Sequence, residues 1–240
     1  MVKAVIFDLD GTISDTLSTI AHYCNVALEY LGYDPIGVDN FKYFAGDGRR
    51  MLIHRTLGYY NIDTPQNYEK AKTKYDMEYE KDFIFETKPF EGIIDVLRHL
   101  RLAGIKTAVL SNKPDNVVQM LTDKMYNGLF DVCHGKMENI PVKPDPSGAF
   151  MTANELGVDP SECVFVGDTD VDIKTAKNSG MKSIGVLWGF RDEKELRQAG
   201  ADFIISKPCE ILEVIFKNRE WENERKTEII KENKRLKKVF

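Results

Sequence analysis

The sequence predicts an α/β protein built on a Rossmann-like parallel sheet, with a small helical cap domain inserted after the first strand. Three observations carry this reading. The run Ala4-Val5-Ile6-Phe7 is apolar at every position, as a strand buried on both faces of a parallel sheet must be. From Phe90 onward, short apolar runs alternate with helix-length segments, the pattern of a parallel sheet covered by helices on both faces. Between them, Asp15 to Glu86 shows helical periodicity, many aromatic residues and no convincing strand.

The elements follow in order. The first strand runs through Asp8-Leu9-Asp10 into a turn at Gly11. In the insert, Ile20, Tyr23, Cys24, Ala27, Leu28 and Leu31 form an apolar stripe at helical spacing. Gly32 supplies a C-terminal stop. A second helix is expected from Asp47 to Leu57 and a third from Pro65 to Phe83. Beyond Phe90 the expected helices are Gly92–Ala103, Asp115–Met125, Ser147–Leu156, Ile173–Ser179 and Glu193–Ala199. The strands between them are Thr107–Leu110, Val132–His134, Cys163–Val166, Ser183–Val186 and Phe203–Ile205. This places a core domain at 1–14 and 87–215, the cap at 15–86, and a charged C-terminal helical extension at 216–240. In that extension Trp221, Ile229, Leu236 and Phe240 fall loosely on one face. A solvated helix supported by i,i+4 ion pairs is expected there, with a self-association helix the alternative.

Composition narrows the function classes. A chain of 240 residues can bury a core plus a smaller insert. A net charge of −5 argues against general nucleic-acid binding. No apolar run approaches the roughly 20 residues that span a bilayer, and no secretory apolar region opens the chain. Cys24, Cys133, Cys163 and Cys209 are scattered, without the close pairing of a zinc site. They read as reduced thiols of a cytoplasmic protein, monomer or homodimer, with no membrane or nucleic-acid partner.

The strand ends carry the chemistry. Ligands of such sheets bind beyond the carboxyl ends of the strands. Side chains at i and i+2 of an extended segment point the same way, so Asp8 and Asp10 face one point in space. The second core strand ends in Ser111-Asn112-Lys113, where a hydroxyl and exposed N–H groups make a phosphate cradle. Lys143, followed by Pro144, presents a cation before a helix. Gly167-Asp168-Thr169-Asp170-Val171-Asp172 adds three carboxylates around a turn. Asp170 reads as the N-cap of the next helix, and Asp172 taken alone as a solvent-facing residue of its first turn. Asp8, Asp10 and Asp168 bring too much negative charge to coexist unpaired. Hard oxygen ligands of this kind suit Mg2+, which with Lys143 would attract a phosphate.

These motifs resemble those of the haloacid dehalogenase superfamily: Asp8-Leu9-Asp10-Gly11-Thr12, Ser111-Asn112, Lys143 with Pro144, and Gly167-Asp168-Thr169 with Asp172. The helical insert and the stretch Ala45-Gly46-Asp47-Gly48-Arg49-Arg50 are similar to the cap and its specificity loop in the phosphoglycolate-phosphatase-like branch. The resemblance implies a nucleophilic Asp8 that forms an aspartyl-phosphate, and Asp10 as general acid and then base. It implies Mg2+ held by Asp8, Asp168 and the backbone carbonyl of Asp10, with Asp172 supporting that shell or orienting Lys143. Ser111, the Asn112 backbone and Lys143 would hold the phosphoryl group, and Gly48 with Arg50, or less directly Arg49, would meet the leaving group.

The function implied is a Mg2+-dependent phosphatase acting on a small phosphorylated metabolite, phosphoglycolate leading. An inorganic pyrophosphatase, a 5'-nucleotidase, a sugar phosphomutase and a non-catalytic binding protein on the same fold stand as alternatives. His22 is the only histidine near the position that mutases use, and it reads as an ordinary cap residue. Lys42, the one candidate for a Schiff-base lysine, reads as a surface residue.

Overall fold

Alternation along β1 (Ala4–Phe7) sets the two sides of the molecule. Val5 and Phe7 enter one apolar cluster, Ala4 and Ile6 the other, because successive side chains leave opposite faces of a strand. The structure, a computed structural model, describes residues 1–217. Its core strands are β1, β4 (Lys106–Pro114), β5 (Val132–Lys136), β6 (Cys163–Gly167), β7 (Lys182–Val186) and β8 (Phe203–Ile205). They form one parallel sheet in the order β5-β4-β1-β6-β7-β8. From β1 the chain first fills one side of the sheet and then the other. The carboxyl end of β1 is therefore the switch point where such sheets bind ligands.

The helices cover both faces. α5 (Ile93–Leu102) and α6 (Asp115–Tyr126) bury Leu97, Leu100, Val118 and Leu121 in the cluster that holds Val5 and Phe7. α7 (Ser147–Leu156) and α8 (Asp170–Ser179) bury Ala149, Ala153 and Ala176 against Ala4 and Ile6. α9 (Glu193–Ala199) and a helical stretch over 210–217 complete the core.

The cap comprises α1 (Leu17–Tyr30), the short α2 (Phe41–Phe44), α3 (Gly48–Tyr59) and α4 (Pro65–Lys81). The stripe expected on α1 is buried at Ile20, Tyr23, Cys24, Ala27 and Leu28. Gly32 follows the helix with φ +85°, a conformation that a glycine adopts without strain. Cap residues such as Ile20, Leu52 and Tyr75 belong to the same apolar cluster as core residues Val117 and Phe190, so the cap is seated on the strand ends.

The structure departs from the sequence expectations at four places. Asp15 lies in a strand: β2 (Ser14–Asp15) pairs antiparallel with β3 (Lys88–Pro89) where the chain enters and leaves the cap. Two-residue strands have no periodicity for a sequence to display. α2 was also invisible, at one turn in length. β4 continues past Leu110 to Pro114 through a register shift against β5. α8 begins at Asp170 rather than Ile173, and its N-cap is Thr169, not Asp170. The charged helical extension, with Trp221, Ile229, Leu236 and Phe240, lies outside the described residues. All four cysteines are free thiols. Among the described residues no helix is long and apolar enough to cross a membrane.

Candidate active site

Asp8 leaves β1 with its backbone N–H bonded to the Val166 carbonyl of β6, 2.9 Å away. Its carboxylate Oδ1 accepts a 2.7 Å hydrogen bond from the Lys143 ammonium. Lys143 donates equally, at 2.7 Å, to Asp172 Oδ1. Lys143 itself is positioned by Asn112, whose Oδ1 accepts from the Lys143 N–H and whose Nδ2 donates to the Lys143 carbonyl. The same Nδ2 reaches the Gly46 carbonyl of the cap at 3.2 Å. Asn112 thus ties the second strand end, the lysine loop and the cap together with one amide.

Asp172 is buried, not solvent-facing as its position alone would suggest. Its Oδ2 accepts from the backbone N–H and the hydroxyl of Thr169, at 3.0 and 2.8 Å. That closes the helix N-terminus and aims Oδ1 at Lys143. Asp170, one residue into the helix, turns outward to Lys174. Asp168 is wholly buried: Oδ1 accepts from the Thr12 hydroxyl at 2.8 Å and Oδ2 from the Phe190 N–H at 2.7 Å. Glycines allow this crowding. A Cβ on Gly189 would stand 2.3 Å from the Cβ of Asp168, and one on Gly167 2.2 Å from the Cβ of Asp172.

Asp8, Asp168 and Asp172 each offer a carboxylate oxygen within 4.8 Å of the others. Three carboxylates are buried together and one ammonium bonds two of them, and the ionisation behaviour follows. Burial pushes Asp8 up to about 7, against the pull of Lys143 and with a further push from Asp172. Burial, then Asp172 and Asp8, hold Asp168 well above the carboxylate range. Burial works against the charge on Lys143, but Asp172 and Asp8 outweigh it and raise that group. The cluster carries more negative charge than its protein partners offset, and its donors are all hard oxygens. This is a donor set that fits a divalent cation such as Mg2+.

Above the cluster, Asp8 and Asp10 line a cavity of about 70 Å³ with Ser111, Asn112 and Lys113 from the core. The cap closes it with Ile20, Ala45, Gly48, Arg49, Leu52, Tyr75 and Tyr79. Residues 5–186 match the haloacid dehalogenase-like hydrolase family. The chain belongs to this family.

The hydrolase is 30% identical to a phosphoglycolate phosphatase of Aquifex aeolicus, over 89% of this chain and 97% of that one. It is 29% identical to a phosphoglycolate phosphatase of Pseudomonas putida, over 85% and 76%. The crystal structure of a proposed phosphoglycolate phosphatase from Lactobacillus delbrueckii subsp. bulgaricus superposes with a TM-score of 0.84 at 33% identity, covering 89% of this chain and 98% of that one. The family and the branch read from the motifs are thus those of its relatives.

The hydrolase brings Asp8, Asp168, Asp172, Lys143, Ser111 and Asn112 to one place. Asp10 joins the cavity but not the carboxylate cluster: both its oxygens accept from the Lys113 ammonium, at 3.1 and 3.2 Å. Gly48 opens α3 against the core, where an added Cβ would stand 3.1 Å from the Asn112 carbonyl. Arg50 is exposed and lines a neighbouring open cleft of about 470 Å³. Arg49 lines both spaces and donates to Asp76 at 2.5 Å. His22 stacks on Phe85, and Lys42 pairs with Asp39; neither lines the cavity.

Sequence reasoning gave no role to Lys113, Thr12, Tyr79 or the Phe190 N–H. Only Lys113 had a local signal. It stands two residues after Ser111 on an extended segment, and so shares its direction.

Proposed function

We propose that this chain is a Mg2+-dependent phosphatase that hydrolyses a small organic phosphate monoester through an aspartyl-phosphate on Asp8, phosphoglycolate being the leading substrate. One observation carries the reading most strongly: a buried Asp8 at the strand switch point, 2.7 Å from a buried Lys143, with a second aspartate two residues on. The phosphoglycolate phosphatases among its relatives support the substrate.

Asp8 attacks phosphorus and the ester P–O bond breaks. Asp10 delivers a proton to the departing oxygen. Water then attacks the phosphorus of the aspartyl-phosphate, Asp10 takes its proton, and Asp8 and inorganic phosphate are released. Lys143 separates the negative Asp8 from the incoming phosphoryl oxygens, while Ser111 and the Asn112 N–H hold them. Gly48 approaches the leaving group from the cap, while Arg50 lines the neighbouring cleft. Mg2+ held by Asp8, Asp168 and the Asp10 carbonyl, with Asp172 orienting Lys143, would supply positive charge to the phosphoryl oxygens. The seated cap excludes water from the cavity and limits the leaving group to a compact one.

The test is phosphate release from phosphoglycolate, other small esters and pyrophosphate, with and without Mg2+. Asp8→Asn should lower turnover by roughly a thousandfold or more while leaving the fold intact. Substantial activity in that variant would sink the covalent route.

A further inference from the structure

Lys113 is a buried ammonium with a single carboxylate partner. Its side chain is 8% exposed, and a charge so far from water requires compensation. Both oxygens of Asp10 supply it. On its other side the ammonium lies 5.3 Å from the centre of the Tyr79 ring, which α4 of the cap holds stacked on Tyr75 at 5.6 Å. The Tyr79 hydroxyl is buried and has no hydrogen-bond partner among the described residues. Such a group is costly to leave unmade. Lys113, Tyr79 and Asp10 all line the cavity above Asp8. The other cation on that lining, Arg49, is already engaged by Asp76. Much of the remaining wall is apolar: Ile20, Ala45, Leu52, Val117 and Phe190.

The cavity therefore holds one ammonium and one hydroxyl side by side, away from Lys143, in a space that admits only a compact molecule. We propose that Lys113 and Tyr79 recognise an anionic group on the leaving group of the substrate, and that Lys113 does so by exchanging the Asp10 carboxylate for that anion. A leaving group with its own carboxylate gives the ammonium a second partner. Asp10, released from Lys113, is then free to turn toward the ester oxygen. A neutral leaving group offers no such exchange, and Asp10 stays bound. The substrate class that fits is a two- or three-carbon phosphate ester bearing a carboxylate. This inference rests on the phosphatase reading above and extends it to the residues that choose the substrate.

The experiment compares a matched pair of esters, phosphoglycolate and ethyl phosphate, with the full chain and Mg2+. The readout is each protein's own ratio of kcat/KM for the two. The wild type should favour the carboxylated ester. In Lys113→Met that preference should fall by about 30-fold, through a higher KM for phosphoglycolate and a smaller kcat advantage over ethyl phosphate, as expected for losing a charge-assisted hydrogen bond that also frees Asp10. Lys113→Arg should restore part of it, and Tyr79→Phe should lower it by roughly 5-fold. A ratio unchanged in Lys113→Met, even with both rates reduced, would overturn the proposal, because a lysine that only steadies Asp10 affects both esters alike. A wild type that hydrolyses ethyl phosphate without preferring phosphoglycolate would also overturn it while leaving the phosphatase reading in place. Release from neither ester would overturn both.

Discussion

Asp8 shows how far a single residue can be pushed by its surroundings. Its carboxyl keeps its proton to about pH 7 in the folded chain, against an ordinary 3.8. The folded state thus binds that proton more tightly than the unfolded chain does. The stability this lends is fully present below the unfolded value and is lost as pH rises through about 7. Metal-free Asp8→Asn carries no such charge. Its melting temperature should therefore gain on that of the wild type between about pH 5 and about pH 8. Mg2+ should raise the wild-type melting temperature more at the higher pH, where the carboxylates are ionised and able to bind it. Equal Mg2+ shifts at both values, read by thermal melts, would show that these groups are not its ligands. The sequence made Asp8 legible because two aspartates after an apolar strand are a local signal. Local spacing could not show that Asp172 shares Lys143 with Asp8, a role that only the family resemblance offered among its alternatives, since Lys143 lies 135 residues from one and 29 from the other.

At the scale of elements, the turn from β6 into α8 does the positioning. Gly167 ends the strand, Thr169 caps the helix, and Asp172 bonds back to Thr169 while holding Lys143. A methyl group on Gly167 would meet Asp172 at 2.2 Å. Gly167→Ala should destabilise the chain by about 2 kcal/mol or more through overpacking. It should also lower activity beyond what the lost stability explains, because Asp172 is displaced from Lys143. A denaturant titration beside a rate measurement at low temperature checks both, and full activity in a destabilised variant would count against the positioning argument. The sequence read this turn as strand, loop and helix but placed the helix start three residues late, taking Asp170 for the cap. Thr169 and Asp170 are both good caps by composition. The choice fell to Thr169 because Asp172 is held by Lys143, which fixes the first turn.

At the scale of the molecule, the cap and core meet through a few specific ties as well as a shared apolar cluster. Arg191, from the loop after β7, donates to the carbonyls of Lys42 and Ala45 in the cap, packs on the Tyr43 ring and pairs with Glu195. Removing this tie should cost about 1–2 kcal/mol. Arg191→Ala should raise backbone hydrogen exchange over 41–48 and raise KM, with the core strands unchanged; unaltered exchange there would show that the apolar contact alone seats the cap. The sequence by itself determined the parallel sheet, the helical insert and the strand-end residues, because each is written in local periodicity or in a short turn motif. The tertiary structure alone decided that Lys113 holds Asp10, that Tyr79 stands beside it, and that Arg49 rather than Arg50 lines the cavity. Each of those depends on groups such as Asp10 and Lys113, 103 residues apart, meeting in a space that only the folded cap and core enclose.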